Sequence, residues 1–363
     1  MKRYLSVYEK LRDAIVRGEY RYGARLPSKR ILAADYGCSV ITVEHAYGLL
    51  QDEGYVSSSE RSGYFVAFRT EEMFPVAPGP EGEEKEEKDQ SLPQTGLPVA
   101  EDEKIPLFPY SVLARTMRRV ISVREKTLLV KSPNRGCREL REALSAYLAR
   151  SRMLRVPPEQ IVIGSGAEYL YTLVVEMLGA DRIYALEDPS YSKIRRVYEA
   201  GGAACELLPM DAEGIAVQAL ENSKASVLHV TPFHSYPSGI TASASRRREY
   251  VRWAMQRNGY VVEDDFDSEF SSLTKPEDTL FSLEPERTVL YLNTFSRTIA
   301  PSMRLGYMVL PPALLPVFEA AVGFYSCTVP VFEQYLVAEL LNNGDFERHI
   351  NRVRRYRRTK DGQ

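Results

Sequence analysis

The chain has 363 residues, of which 44% are hydrophobic and 26% charged, and its formal net charge is −2. This length predicts roughly two or three domains, and the composition is that of a soluble globular protein. The slightly acidic total excludes a general polycation, so any binding to nucleic acid has to come from a local basic patch. The sequence has neither an apolar run of membrane-spanning length nor a signal-peptide pattern.

The four cysteines are far apart and lack C-x-x-C spacing. That spacing argues against a zinc site and against a disulfide framework. We therefore expect a cytoplasmic protein with reduced thiols and no bound metal.

The first 69 residues have the pattern of short helices separated by turns. The apolar face of the first helix consists of Val7, Leu11 and Ile15. Gly18 ends this helix, and Ser28 is a typical N-cap for a second helix over about residues 29–36. Gly37 then makes a tight turn, and Ser39 caps a third helix. Two short helices joined by a glycine-containing turn have helix-turn-helix spacing.

The third helix closes at Gly54 and is followed by two predicted strands, at 55–58 and 64–68, whose connection would form a wing. The inward face of that helix consists of Val43, Ala46, Leu49 and Leu50. Residues 1–69 carry eleven Lys and Arg against eight Asp and Glu, a balance of +3 that suits contact with phosphates. On these features alone, DNA binding is only somewhat favoured over a protein-interaction module.

Residues 70–104 differ sharply from the segments on either side, because they are rich in proline, glycine and glutamate. Such a segment cannot bury enough apolar surface to offset its ordering entropy, so a flexible acidic linker is expected. From about Ile105, apolar runs alternate with helical patterns, as in α/β proteins. The predicted buried strands are Ile161–Ile163, Arg182–Leu186, Ser226–Val230, Tyr260–Glu263 and Thr288–Leu292.

Two motifs in the first segment are specific. They are Gly18…Gly23-Ala24-Arg25-Leu26-Pro27-Ser28-Lys29-Arg30 and Thr42-Val43-Glu44-His45-Ala46-Tyr47…Glu53-Gly54-Tyr55. They resemble the GntR family of winged-helix regulators, which implies binding to double-stranded operator DNA. The implied contacts are Ser28 and Arg30 with phosphate, Ser39 and Thr42 at the start of the recognition helix, and Arg61 and Gly63 in the minor groove. The family usually has arginine where this chain has Val40, so guanine recognition by that position is lost.

A second set of motifs covers residues 106 to the chain end. In order they are Gly136-Cys137-Arg138-Glu139-Leu140-Arg141-Glu142, Gly164-Ser165-Gly166-Ala167, Glu187-Asp188-Pro189-Ser190-Tyr191, Thr231-Pro232-Phe233-His234, Glu263-Asp264-Asp265-Phe266-Asp267-Ser268-Glu269-Phe270 and Thr294-Phe295-Ser296-Arg297…Arg304-Leu305-Gly306-Tyr307. They resemble the fold type I, pyridoxal-phosphate-dependent aminotransferase domain of MocR-type regulators. Together with the GntR-like segment, the resemblance covers nearly the whole chain.

The resemblance implies a site for pyridoxal 5'-phosphate built from eight residues. Gly166, Ala167, Thr294, Ser296 and Arg304 would hold the phosphate, Asp264 the pyridine nitrogen, Tyr191 would line the ring, and His234 would lie near the ring oxygen. Backbone N–H groups at a helix start and a bidentate arginine suit a phosphate. Without the resemblance, Gly-Ser-Gly is more often a tight turn, and a helix cap or ion-pair partner is the simpler interpretation of Asp264.

Three departures from the family pattern bear on catalysis. Arg297 occupies the position of the lysine that forms a Schiff base, and arginine stays protonated and cannot serve as an amine nucleophile. Phe266 replaces the family tyrosine, so a hydroxyl near the ring oxygen is lost. Finally, the small C-terminal domain of MocR chains, roughly 100 residues that carry the substrate-clamping arginine, is expected to be missing here.

These features predict a homodimeric transcription regulator that is not an enzyme. Its aminotransferase-like domain would bind pyridoxal phosphate non-covalently at best, and a small amine or amino acid is a possible effector. The alternatives are an active aminotransferase and a decayed regulator whose second domain only dimerises. Position 297 argues against the enzyme.

Overall fold

The computed structural model describes residues 3–59, 63–68, 106–266, 268–271 and 277–361. These residues form two compact units, one within Met1–Thr95 and the other within Gly96–Gln363. The expected acidic linker at 70–104 lies outside the described residues, so its flexibility and the domain boundaries stay predictions.

Within residues 3–59 and 63–68, the N-terminal unit consists of three helices followed by a β-hairpin. The elements are α1 (Arg3–Val16), α2 (Lys29–Asp35), α3 (Val40–Asp52), β1 (Val56–Ser59) and β2 (Gly63–Val66). The strands pair antiparallel, with Val56 opposite Val66. This arrangement is the winged helix-turn-helix that the sequence motifs predicted.

The two short helices of this unit are capped as the sequence predicted. Ser28 Oγ accepts a hydrogen bond from the Ile31 amide at 3.3 Å, and Ser39 Oγ accepts one from the Thr42 amide at 3.2 Å. Both bonds satisfy amides that have no partner inside the helix. Gly37 has a φ of +56°, a conformation that side chains disfavour. The turn between α2 and α3 is therefore specified locally.

Helix α3 is held by a small apolar core. Its buried residues are Val43, Ala46, Tyr47 and Leu50. They pack with residues of α1 that include Leu11 and Ile15. The Tyr47 hydroxyl donates to the Pro27 carbonyl at 2.6 Å, which ties α3 to the segment that leads into α2. These contacts fix the orientation of α3 within the unit, and with it the position of its solvent-facing side.

Among the described residues of the C-terminal unit, eight strands form one mixed sheet in the order β3-β10-β9-β8-β7-β4-β5-β6. They are β3 (Ile161–Gly164), β4 (Ile183–Asp188), β5 (Ala204–Asp211), β6 (Gly214–Ile215), β7 (Val227–Val230), β8 (Tyr260–Asp264), β9 (Val289–Thr294) and β10 (Gly306–Val309). Strands β5, β4, β7, β8 and β9 are parallel. Strand β10 runs antiparallel to both of its neighbours, β9 and β3. The α/β fold class is confirmed.

Helices complete this unit. They are α4 (Tyr110–Arg124), α5 (Arg138–Ser151), α6 (Ala167–Leu178), α7 (Ser192–Ala200), α8 (Val217–Asn222), α9 (Ala244–Gln256), α10 (Leu280–Leu283), α11 (Leu315–Ala321), α12 (Val331–Asn342) and α13 (Asp345–Asp361). Alternate residues of a strand enter two different apolar cores: Ile161 and Ile163 pack in one, and Val162 packs in the other. This alternation is what a sheet covered on both faces requires.

The five strands predicted from buried apolar runs are present, but β5, β6 and β10 were missed. Strand β5 lies next to the end of the sheet, and Leu208 is its one fully buried residue, so it lacks a continuous apolar run. Strand β10 is buried throughout, but its start lies in the Arg304-Leu305-Gly306-Tyr307 motif, which was interpreted as part of the ligand site rather than as a strand. In the part of the chain that the structure describes, no helix has the length and apolarity needed to span a bilayer.

Candidate functional site

The residues singled out in the C-terminal unit lie where strands end. Strands β3, β4, β7, β8 and β9 point the same way, so their carboxyl ends meet at one edge, here called the carboxyl edge. The residues at or just beyond those ends are Gly166, Ala167, Tyr191, His234, Asp264, Thr294 and Ser296. Arg304 lies on the same edge, two residues before antiparallel β10 begins. In α/β sheets, this edge is where ligands bind.

The N-terminus of α6 forms the first part of the site. Gly166 precedes the helix with a φ of +87°, and no side chain caps it. A Cβ at Gly166 would lie 3.1 Å from Arg304 Nη2, so the guanidinium rests against this backbone. The Gly166 amide donates to the Gly164 carbonyl at 2.9 Å, so the helical amides from Ala167 onward are the ones that can face a ligand. Together with the positive end of the helix dipole and the guanidinium, they favour a phosphate.

Arg304 also belongs to a small charged cluster. Its Nη2 lies 3.1 Å from Glu168 Oε2, and Lys193 Nζ lies 2.7 Å from Glu168 Oε1. All three side chains are partly exposed, with 50% of the Arg304 side chain accessible. Two cations share one carboxylate, which leaves a net positive charge beside the α6 N-terminus.

Asp264 is the buried acid of the site. Its side chain is 4% exposed at the end of β8. The Tyr171 hydroxyl donates to Oδ2, whereas Oδ1 is buried and has no hydrogen-bond partner among the described residues. Burial holds the pKa of Tyr171 well above its usual value, so this hydroxyl remains a donor. One carboxylate oxygen is fixed and the other is available to a donor.

Three residues around Asp264 were missed in the sequence: Tyr171, Tyr198 and His229. His229 Nε2 is 3.7 Å from Asp264 Oδ2, and His229 Nδ1 is bonded to the Tyr198 hydroxyl at 2.6 Å. Tyr171 follows Ala167 by four positions, the spacing that places two side chains on one helical face, and this signal could have identified it. His229 and Tyr198 come from a buried strand and a helix with no motif to mark them.

The hydroxyl residues at the end of β9 are close together in the chain but differ in their surroundings. Thr294 is buried, and its amide donates to Asn293 Oδ1 at 2.5 Å. Ser296 Oγ donates to the Met303 carbonyl at 3.0 Å, which ties this loop to the segment that carries Arg304. Tyr191 comes just before α7, and its ring stands edge-on to Tyr236 at 6.3 Å between centroids.

His234 is placed differently from the other predicted residues. It has a left-handed φ of +59° and is exposed. Its amide donates to Thr241 Oγ1 at 3.2 Å. The histidine that contacts the buried acid is His229, and contact of His234 with a ring oxygen stays a prediction.

Two departures from the family pattern contact each other. The Arg297 guanidinium carbon lies 5.8 Å from the centroid of the Phe266 ring, within cation–π range. Phenylalanine offers a π face with no hydroxyl, and arginine stacks on such faces better than lysine does. The two replacements therefore form one local interaction.

A buried polar network lies directly beyond Asp264. Arg152 Nη2 is 2.8 Å from Asp265 Oδ2, with side-chain exposures of 7% and 0%. The Tyr291 hydroxyl donates to the same oxygen at 2.6 Å. Burial raises the pKa of Glu187, at the end of β4, to about 8, so this carboxyl is neutral at pH 7 and adds no second negative charge near Asp264.

In the N-terminal unit, the predicted DNA contacts are distributed around α2, α3 and the hairpin. Ser28, Arg30 and Ser39 are exposed, and Ser39 Oγ and Thr42 Oγ1 are 2.9 Å apart. Gly63 begins β2 with a φ of +109°. Arg61 lies outside the described residues. Among the described residues, no cluster of three or more metal-ligating side chains is found.

The two units match two known families. Residues 3–66 match the bacterial regulatory proteins of the gntR family, and residues 107–361 match aminotransferase class I and II. A kynurenine aminotransferase of Pyrococcus horikoshii, solved in complex with PMP, is 26% identical, with a TM-score of 0.62, over 70% of this chain and 66% of that one. The chain thus spans slightly less than two thirds of that enzyme.

Relatives that contain both units are transcriptional regulators. The HTH-type regulator YdeL of Bacillus subtilis is 32% identical over 98% of this chain and 77% of its own length. The pyridoxine biosynthesis regulator PdxR of Corynebacterium glutamicum is 31% identical, over 96% and 74%. The probable rhizopine catabolism regulator MocR of Rhizobium meliloti is 28% identical, also over 96% and 74%. The chain belongs to the MocR-type transcriptional regulators, in which a GntR helix-turn-helix domain is joined to an aminotransferase-like domain.

Proposed function

We propose that this regulator uses its aminotransferase-like domain as a non-catalytic sensor that holds a pyridoxal-phosphate-type ligand without a covalent bond. The observation that carries the proposal is the pair Arg297–Phe266 beside an otherwise retained ligand site. Arginine stays protonated at every relevant pH, so position 297 lacks the neutral amine that a covalent link requires. The protein would act in the cytoplasm on operator DNA, with a small amine or amino acid as a possible effector.

The residues present fit such a ligand. Asp264 Oδ1, buried and without a partner among the described residues, is suited to accept a hydrogen bond from a protonated ring nitrogen. Arg304, the Ala167 amide and the hydroxyls of Thr294 and Ser296 are suited to a phosphate, and Tyr191 to the ring edge. Gly166, whose amide donates to the Gly164 carbonyl at 2.9 Å, would contribute a backbone without a side chain beside Arg304. In catalytic relatives, the bound group acts as an electron sink for amino-acid chemistry.

The strength of non-covalent binding can be bounded. Charge-assisted hydrogen bonds contribute roughly 1.5–3 kcal/mol each, and a micromolar Kd needs only about 8 kcal/mol in total. Arg304 and Asp264 would supply two of these bonds, roughly 3–6 kcal/mol together, and the Ala167 amide and the hydroxyls of Thr294 and Ser296 would supply the remainder. A phosphate first has to compete with Glu168, which already pairs with Arg304 at 3.1 Å. Micromolar affinity therefore remains within reach without a Schiff base.

For the DNA-binding unit, we expect Arg30→Ala to weaken binding about equally on all duplex sequences. Arg30 is exposed at the start of α2, and a phosphate contact there adds affinity but carries no base information. Loss of one contact should lower the slope of log affinity against log salt by about 0.9. The measurement is fluorescence anisotropy on labelled duplexes at several salt concentrations.

Arg17→Ala is the matched control for that experiment. This variant removes the same charge, but Arg17 pairs with Glu19 at 3.1 Å beyond the end of α1. It should leave the salt slope as it is. An unchanged slope and affinity in Arg30→Ala would show that the role assigned to Arg30 is wrong.

A homodimer is proposed from the resemblance, and exposed apolar side chains at the start of the second unit are candidates for its interface. Six large apolar side chains are exposed by 55% or more: Leu107, Tyr110, Ile121, Val123, Leu129 and Val130. Contact with a second copy of the chain would remove these side chains from water. We expect the double variant Val123→Asp/Leu129→Asp to sediment as a monomer, whereas the original chain sediments as a dimer.

Met255→Asp is the control for the dimer experiment. Met255 is 55% exposed on α9, outside the 107–130 segment, and its replacement should leave the dimer intact. If the double variant is still a dimer while its circular dichroism is native, the dimer uses a different surface.

A further inference from the structure

The start of α3 exposes apolar side chains where a base-reading helix usually has polar ones. Ile41 is 64% exposed and Val40 is 42% exposed, both in the first turn. At 100° per residue, Ile41 lies opposite the buried face that contains Val43, Ala46, Tyr47 and Leu50. Folding of this unit does not explain these two residues, because neither belongs to its buried core.

The first turn of α3 is also the part of the unit that approaches base edges. In helix-turn-helix proteins, the second helix enters the major groove and its N-terminal residues contact the bases. The motif spacing and the family match identify α3 as that helix. Exposed Arg30 on α2 supplies positive charge on the same unit for the phosphate backbone. The occupant of this surface is therefore duplex DNA.

The two hydroxyls next to Ile41 bond to each other, and one of them also bonds to the backbone of the helix. Ser39 Oγ accepts from the Thr42 amide and lies 2.9 Å from Thr42 Oγ1. Glu44 Oε1 pairs with Lys29 Nζ at 2.5 Å. The large exposed side chains of this turn are thus aliphatic. In the major groove, the one apolar feature of a base pair is the C5-methyl group of thymine.

We propose that Val40 and Ile41 recognise thymine methyl groups in the operator. This specificity goes beyond DNA binding as such, and it does not depend on whether the second domain binds a cofactor. It replaces hydrogen-bonded guanine recognition by apolar contact, so discrimination comes from the methyl group alone. Burying one methyl contributes about 0.8 kcal/mol, which corresponds to a ratio of about fourfold in affinity.

The test uses the full chain and an operator obtained by selection from a random duplex library. Each thymine of the selected site is then replaced by deoxyuridine, which removes the methyl and leaves base pairing unchanged. At one or two positions per half-site, we expect binding to fall about fourfold per methyl. In the Ile41→Ala variant, the affinities for the thymine and deoxyuridine duplexes should become nearly equal at one of those positions.

Ile31→Ala is the matched control, since Ile31 is 57% exposed on α2 rather than on α3 and should leave the ratio unchanged. Val40→Arg is a second variant, and it should move the preference at its position from thymine to guanine. The proposal is overturned if selection enriches no thymine, if deoxyuridine has no effect on the original chain, or if Ile41→Ala keeps the full ratio. Thermal melting of each variant confirms that the unit is folded.

Discussion

Replacing Arg297 with lysine is expected to give the purified chain a new absorbance band with pyridoxal phosphate, and borohydride should then fix the ligand to residue 297. A lysine amine can lose its proton when it is partly buried, whereas a guanidinium cannot, so the substitution restores a nucleophile. The amount of covalently bound ligand should rise from none in the original chain to nearly one per chain in the variant. Peptide mapping by mass spectrometry locates the attachment, and the original chain should show neither attachment nor amino-acid turnover above free cofactor.

Arg195→Lys is the matched control, because it introduces a lysine at an exposed position of α7 that pairs with Glu199 at 2.7 Å. It should produce no band. A borohydride-fixed ligand on Lys193 of the original chain would contradict non-covalent binding. If Arg297→Lys shows no band, and the double variant with Phe266→Tyr shows none either, the second domain does not hold the ligand and only dimerises.

The second large effect concerns stability: Arg152→Ala should lower the free energy of unfolding of the C-terminal unit by about 3–5 kcal/mol. Arg152 and Asp265 are 7% and 0% exposed, and their charged atoms are 2.8 Å apart. Removing the cation leaves Asp265 buried without a counter-charge, and it also removes the Arg152 contact with the Phe233 ring at 4.9 Å. Urea unfolding followed by fluorescence is the measurement, because the single tryptophan of the chain, Trp253, is buried in this unit.

Arg138→Ala provides the comparison for that measurement. Arg138 pairs with Glu142 at 2.7 Å on α5, but the two side chains are 76% and 50% exposed. An exposed pair of this kind contributes only about 0.3–0.5 kcal/mol. If both variants lose the same free energy of unfolding, burial does not make the Arg152–Asp265 pair more important for stability than an exposed pair.

The sequence predicted the parts of this structure that depend on local chemistry. Ser28 and Ser39 cap their helices as expected, since an N-cap needs only the next few residues. The carboxyl edge was also predictable, because each motif follows a strand and parallel strands end together. The partners of Asp264 could not be predicted, since Tyr171 and His229 reach it from α6 and β7 through tertiary packing. The contact of Arg297 with Phe266 likewise joins residues from two loops and has no sequence signature.

Asp264 presents one oxygen that Tyr171 already satisfies and one that has no hydrogen-bond partner among the described residues. If the proposed ligand binds with its ring nitrogen on that oxygen, the nitrogen would donate its own proton, and ligand binding and proton uptake would be linked. Affinity for a pyridine-type ligand would then decline as the pH rises above the pKa of that nitrogen. Under the proposed function, occupancy of this site would be a joint function of ligand concentration and acidity.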